Sequence, residues 1–196
     1  MGVKVTRPKA KKSGFEQDGL FTMTRSPHVS VSTTVMPHEI GEKCVQAVQK
    51  IFPDFDGDAA PSEGTFPILR NGIELTSEGL SPDLFLEILT EQRILDTALD
   101  AMSINLHAHS TYFLISRQAA LRGKVAFVLE TERTIGGVIE VSMESEELAD
   151  WLEEATWHSG RREVPREVGD ELSMRSDGTV TEWFDSKGRA TIQTDD

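Results

Sequence analysis

The fold is decided by residues 92 to 128, which contain Gln92-Arg93-Ile94-Leu95-Asp96-Thr97-Ala98, then Ser110-Thr111-Tyr112-Phe113-Leu114-Ile115, then Arg117-Gln118-Ala119-Ala120 and Gly123-Lys124-Val125. The periodicity predicts the end of a helix, a strand, a tight helical turn and a second strand. The stretch carries four fixed positive charges against two acids, in a chain of net charge −13. This local reversal of charge is the strongest functional signal in the sequence.

The composition predicts one folded core. The chain has 196 residues, of which 38% are hydrophobic and 27% charged, as in ordinary globular proteins. The single cysteine, Cys44, excludes an intramolecular disulfide and a cysteine-rich zinc site, and it favours a cytoplasmic location. No apolar run approaches the roughly 18 residues of a membrane span, and the first residues lack the apolar segment of a signal peptide. We therefore expect no membrane partner.

The charge is unevenly distributed and predicts three regions. Residues 1 to 27 carry six bases and two acids, a net +4, and form a predicted disordered basic arm. This arm either contacts phosphates or serves as a solubilising tail. Residues 28 to 143 form the predicted α+β core domain. Residues 144 to 196 carry fifteen acids and six bases, a net −9, and form a predicted acidic extension.

The first half of the core domain begins with a strand. Residues 28 to 35 alternate apolar and polar side chains with period two. Pro37 ends the strand and favours entry into a helix over residues 39 to 52, which Pro53 stops. Residues 66 to 75 predict one or two short strands, with a possible hairpin turn at Asn71-Gly72.

The second half begins with a helix predicted over residues 81 to 105, started by Ser81-Pro82-Asp83. Gln92 falls at the edge of its apolar stripe, so its amide should bond to neighbouring backbone. Arg93 and Asp96 are spaced as a surface ion pair. Strands follow over residues 110 to 116, 124 to 128 and 138 to 141. The acidic extension predicts a helix from Leu148 to beyond Ala155 and a β-meander over residues 172 to 192, with Trp151, Trp157 and Trp183 as packing anchors.

Residues 28 to 143 resemble a family of small archaeal proteins described as putative RNA-binding proteins or exosome-associated subunits. The resemblance rests on the runs quoted above, on the opening strand into Pro37, and on the closing Ile135-Gly136-Gly137-Val138-Ile139-Glu140-Val141. It implies a fold similar to the ribosomal large-subunit protein that carries 5S RNA, with helices on one face of a curved, mostly antiparallel sheet. It also implies a homodimer. Ser116-Arg117-Gln118 departs from the family's Asn-Lys-Gln, and the arm and the extension have no counterpart in it.

Three candidate chemistries fail on spacing. Asp54, Asp56 and Asp58 alternate as in a calcium loop, but Ala59 and Thr65 stand where an EF-hand needs glycine and glutamate. His107 and His109 lack a carboxylate or thiol to complete a metal set. Gly123-Lys124 lacks the flanking residues of a phosphate loop. No nucleophile with a base partner appears, so we expect neither enzymatic activity nor a cofactor or metal.

Two hypotheses remain. The first is a non-catalytic RNA-binding protein with a local basic face, because a pI near 4.8 repels polyanions elsewhere on the surface. The candidate binding residues are Arg93, Arg117, Gln118, Arg122 and Lys124. The second is an assembly subunit of an RNA-processing or ribosome-associated complex, with the acidic extension as its contact surface. The acidity is also compatible with a high-salt cytoplasm.

Overall fold

The computed structural model describes residues 26–61, 71–129, 131–132 and 134–169. Within them the chain forms an α+β fold around a five-stranded sheet in which every pairing is antiparallel. The strands are β1 (His28–Val35), β2 (Ile73–Glu78), β3 (Ser110–Ser116), β4 (Phe127–Val128) and β5 (Val138–Glu144). Their order across the sheet is β2-β1-β5-β3-β4, so the first and last strands of the described part pair at its centre.

The helices are α1 (Gly41–Gln49), α2 (Asp83–Gln92), α3 (Leu95–Ser103), α4 (Arg117–Ala120) and α5 (Leu148–Ala155), followed by a 3-10 turn over Ser159–Arg162. The opening strand, the strand from Ser110 to Ser116 and the helix at Leu148 are confirmed as predicted. The strand predicted over residues 124 to 128 is shorter, because only Phe127 and Val128 pair with β3. The predicted strand residues before Asn71, the basic arm up to residue 25, the meander and Trp183 lie outside the described residues.

One face of the sheet is apolar because alternate side chains of its central strands are in register. Val31 pairs with Val141, which in turn pairs with Phe113, and all three are buried. The helices cover this face, and the ring of Phe85 on α2 stacks 5.7 Å from both Phe52 and Phe113. The opposite positions of these strands carry mostly polar side chains, which explains the period-two pattern of the sequence.

The acidic extension contributes to the same core. Leu148, Trp151 and Leu152 of α5 are buried in the cluster that also holds the residues of the central strands. Trp151 is thus a core anchor, whereas Trp157 is 53% exposed.

The single helix predicted over residues 81 to 105 is wrong, since the chain breaks it at Arg93. This residue adopts the left-handed conformation with φ of 58°, and the Arg93 amide donates to the Thr90 carbonyl while the Ile94 amide donates to the Leu89 carbonyl. These two bonds close α2 in a Schellman motif, which usually has glycine in the place of Arg93. The apolar stripe runs through the break, so its periodicity gave no sign of the turn.

Candidate functional site

The Gln92 side chain fastens the break between α2 and α3 to the loop that leads into β4. Its amide nitrogen donates to the Val125 carbonyl at 2.9 Å, and its amide oxygen accepts from the Val125 backbone nitrogen at 2.7 Å. The expectation that Gln92 bonds to backbone is confirmed. Because the two residues are 33 positions apart, this pair of bonds brings Arg93 and Lys124, their chain neighbours, to the same part of the surface.

A second contact brings the end of α1 to this loop. The ammonium group of Lys50 donates to the Leu121 carbonyl at 2.7 Å, and Arg122 follows Leu121 directly. We call Lys50, Arg93, Arg122 and Lys124 the basic turn. All four side chains are exposed, and none forms an ion pair with another described residue. Lys50 was not among the predicted binding residues, because its only signal was its place at the end of the predicted helix.

Arg117 lies inside the protein, with only 4% of its side chain exposed. Its guanidinium donates from Nε to the Gly136 carbonyl at 2.7 Å, and from Nη1 to the Thr34 carbonyl at 2.7 Å and to Thr33 Oγ1 at 3.0 Å. Nη2 forms an ion pair with Glu39. Arg117 therefore ties the ends of β1 and α4 to the segment before β5, and its charge is enclosed by the fold.

Two glycines make room for this guanidinium. Gly136 and Gly137 have φ of 86° and 75°, a backbone region that residues other than glycine rarely adopt. A Cβ atom at Gly137 would lie 2.5 Å from Nη2 of Arg117. The Gly-Gly pair, predicted only as a lead into the last strand, is thus part of the arginine's enclosure.

Glu39 is held in its charged form by the same cluster. Burial alone would raise the pKa of this carboxyl, but the Met36 amide and the Arg117 guanidinium outweigh burial and hold the pKa below its ordinary value of 4.5. The ion pair is therefore intact throughout the neutral range.

Gln118 takes the opposite direction from its neighbour. Its side chain is exposed, and it lies over Gly136, where an added Cβ would come within 2.8 Å of Gln118 Cγ. The structure therefore brings Arg93, Arg122 and Lys124 together around one loop, places Gln118 at the other end of α4, and turns Arg117 inward.

The acids of the signature pair with the segment after α5 rather than with Arg93. Asp96 accepts from Arg161 Nε at 3.0 Å and lies 2.9 Å from His158 Nε2, while Asp100 forms an ion pair with Arg166. The Gly160 amide donates to His158 Nδ1, which leaves Nε2 of the neutral ring as the donor to Asp96. The surface pair predicted between Arg93 and Asp96 is wrong, because Arg93 precedes α3 in a left-handed turn.

These contacts also set the charge of Asp96. Burial would raise its pKa, but hydrogen bonds from Arg161 and His158 lower it below its ordinary value of 3.8. The partners are more than 60 residues away in sequence, so no local pattern announced them.

The remaining histidines have ordinary surroundings. His109 Nδ1 lies 2.9 Å from the Glu146 carbonyl, and His107 pairs with Ser110 through the backbone. In the part of the chain that the structure describes, no three side chains of His, Cys, Asp or Glu are grouped as metal ligands. Among the same residues, no helix has the length and apolar character needed to cross a bilayer.

Comparison with known proteins finds similar chains in archaea. The chain is 32% identical over 127 residues to a UPF0201 protein of Sulfurisphaera tokodaii, covering 63% of this chain and 85% of the relative. It is 29% identical to a UPF0201 protein of Methanothermobacter thermautotrophicus, covering 72% of this chain and 98% of the relative. The crystal structure of a UPF0201 protein from Methanococcus jannaschii superposes with a TM-score of 0.53 at 25% identity, covering 68% of this chain and 96% of that one. No family model matches the chain.

Proposed function

The chain belongs to the archaeal UPF0201 family, and from this premise we propose that it is a non-catalytic RNA-binding protein that contacts phosphates through the basic turn. The observation that carries the proposal is the convergence of Lys50, Arg93, Arg122 and Lys124 around one loop with no acid paired to any of them among the described residues. Exposed guanidinium and ammonium groups without an acidic partner are suited to bind phosphate oxygens.

The location of these charges supports a local contact. The whole chain has a net charge of −13, so most of its surface repels a polyanion. Exposed charges are screened beyond about 8 Å at physiological salt, and a cluster of cations can therefore attract phosphate although the protein is acidic. Four phosphate contacts would release about three counterions, which predicts modest affinity with a shallow dependence on salt.

The fold supports the proposal by analogy only. We infer that the α+β layer serves RNA binding as in the ribosomal protein that carries 5S RNA, to which the family resemblance implies a similar fold. We also infer that the chain acts as a homodimer, which would place two basic turns on one assembly and strengthen binding through multivalency. The basic arm would add phosphate contacts.

Arg117 is removed from the set of proposed phosphate ligands. A guanidinium that is 4% exposed and already bonded to four groups cannot reach a polyanion without opening the fold. The proposed binding residues are therefore Arg93, Arg122, Lys124 and Lys50, with Gln118 at the other end of α4.

The test is a salt series of RNA-binding measurements on matched variants. Arg122→Ala/Lys124→Ala and Asn71→Asp/Thr76→Asp both make the net charge more negative by two, but Asn71 and Thr76 lie just before and on β2, at the edge of the sheet opposite β4. We expect the double variant to lower affinity for structured RNA about tenfold or more and to reduce the salt slope by about 1.5, and the control variant to change neither by a comparable amount. Equal losses in both variants would show that only overall charge matters. No detectable binding of the wild type at low salt would refute the function.

A second candidate function is an assembly subunit that contacts a protein partner through the acidic extension. It is favoured by the exposure of Trp157 and Val164 in the segment after α5, at 53% and 67%. Because α5 lies in the main core, a truncation that tests this function should keep α5, remove residues 170–196 and also carry Trp157→Ser and Val164→Ser. Partner binding lost on that truncation, with RNA affinity retained, would support it.

A further inference from the structure

A shallow groove lies between α1 and α4, beside the basic turn. It has a volume of about 330 Å³, and its lining combines apolar or small residues, among them Ile40, Ala47, Leu121 and Gly136, with five polar or charged side chains that include Lys43 and Gln118. Ile40 and Leu121 are 47% and 37% exposed, although both are large apolar residues. The groove is thus an apolar surface of a size that accepts a small planar molecule.

The side-chain amide of Gln118 is a hydrogen-bonding group in this groove. Gln118 is exposed at its wall, and no described residue forms a hydrogen bond with its amide. The side chain lies against Gly136, where a Cβ atom would come within 3.2 Å of its amide nitrogen. A glutamine amide offers two donors and one acceptor, the combination that can pair with the edge of a nucleobase.

Cations lie at both ends of the groove. Lys43 lines it near the start of α1, and at the other end Lys50 bonds the Leu121 carbonyl, next to Arg122. The Glu39 carboxylate, which also lines the groove, is neutralised by Arg117. An apolar floor with a free amide, between two positive ends, complements a base attached to a phosphate backbone.

Building on the proposed function, we propose that this groove holds one unpaired base of a single-stranded or looped RNA. Ile40 and Leu121 contact the faces of the base, Gln118 bonds its edge, and Lys43, Lys50 and Arg122 hold the flanking phosphates. Such recognition requires a base that is free of stacking and pairing, as in single-stranded segments and loops. A duplex would use only the cations, so the groove predicts a preference for unpaired RNA.

The experiment compares binding of single-stranded and duplex RNA of about 12 nucleotides or base pairs, by fluorescence anisotropy, to the full chain and two variants. Gln118→Met keeps the length of the side chain but removes its hydrogen bonds, and Thr76→Met is a control on the strand at the far edge of the sheet from β4. We expect the wild type to prefer single-stranded RNA and Gln118→Met to weaken that binding about tenfold while its affinity for duplex RNA stays the same. Thr76→Met should bind both RNAs with the affinities of the wild type.

The outcomes separate this inference from the function on which it rests. If the wild type binds neither RNA, the RNA-binding function fails. If it binds both equally, or if Gln118→Met binds single-stranded RNA like the wild type, the function stands and the base-binding groove is overturned; the groove would then be left to an apolar side chain of a protein partner. A loss equal on single-stranded and duplex RNA also overturns it, because it shows a general rather than a base-specific effect.

Discussion

Arg117 and Arg122 lie five residues apart in one signature and differ completely in their surroundings. Arg117 is 4% exposed, bonded through all three of its guanidinium nitrogens and paired with Glu39. Arg122 is exposed and, with the rest of the basic turn, has no acidic partner among the described residues. The local excess of positive charge thus has two parts: Arg117 joins distant elements of the fold, and Arg93, Arg122 and Lys124 are exposed without an acidic partner among the described residues.

The largest effect that the comparison predicts is on stability at Arg117. Arg117→Met should lower the free energy of unfolding by about 3 to 5 kcal/mol, because it leaves Glu39 and the Thr34 and Gly136 carbonyls without their donor. Arg122→Met should change it by less than about 0.5 kcal/mol. Urea unfolding followed by circular dichroism measures both. Similar losses of unfolding free energy in the two variants would contradict the different roles of Arg117 and Arg122.

A smaller effect is expected at the glycines of the two regions. Gly137→Ala and Gly123→Ala both place a side chain at positive φ, but only the first also drives a Cβ atom into the Arg117 guanidinium. We expect a cost of about 3 kcal/mol at Gly137 and about 1 kcal/mol at Gly123, where the added Cβ meets no described atom within 4 Å. Thermal unfolding measures the stability of the two variants. Equal losses of stability would show that the positive φ alone causes the cost and that the contact with Arg117 adds nothing.

The Gln92 clamp gives the third test, since it joins the fold to the basic turn. Gln92→Ala removes two hydrogen bonds to Val125 and should cost about 1 to 2 kcal/mol. It should also weaken RNA binding without changing the charge, because Arg93 and Lys124 are no longer held together. Ser81→Ala, which removes only an exposed hydrogen bond from the Asp83 amide, is the control. RNA affinity unchanged in Gln92→Ala would mean that the clamp does not position the basic turn.

The smallest effect is a dependence on pH at Glu39. The pKa of this carboxyl is lower in the folded chain than its ordinary value of 4.5, so the unfolded chain takes up a proton more readily. The stabilisation from its charge is therefore complete above about pH 4.5 and lost as the pH falls through the folded pKa. Glu39→Gln should be less stable than the wild type by about 1 kcal/mol at neutral pH. The difference should shrink below about pH 4.5, and a difference that grew instead would contradict the ion pair.

The sequence predicted the regular elements and missed the contacts that join distant ones. The alternation from Val29 to Val35 gives β1, because a half-buried strand imposes period two. Gln92 at an apolar edge pointed correctly to a backbone partner, although not to Val125. The break at Arg93 left no signal, since an arginine stands where a helix end usually shows glycine or proline. Each helix and strand can thus be predicted from its local sequence, whereas the contacts between elements distant in sequence cannot.

The same limit explains the candidate site. Arg117 and Arg122 look alike in sequence, and they are distinguished by contacts across 19 to 84 positions, which Arg117 makes to Gly136, Glu39, Thr34 and Thr33. Gly136-Gly137 was the one visible trace of the enclosure, because paired glycines indicate unusual φ angles or close approach. Lys50 joined the basic turn through a carbonyl 71 residues away, which no periodicity could reveal.

The most direct test of the different roles of Arg117 and the basic turn measures unfolding and RNA affinity in the same two variants, Arg117→Met and Arg122→Ala/Lys124→Ala, at a temperature where circular dichroism shows both to be folded. We expect opposite effects in the two variants. Arg117→Met loses stability and keeps most of its RNA affinity and salt slope, whereas the double variant keeps its stability and loses affinity about tenfold or more. RNA affinity lost in Arg117→Met and retained in the double variant would contradict this expectation.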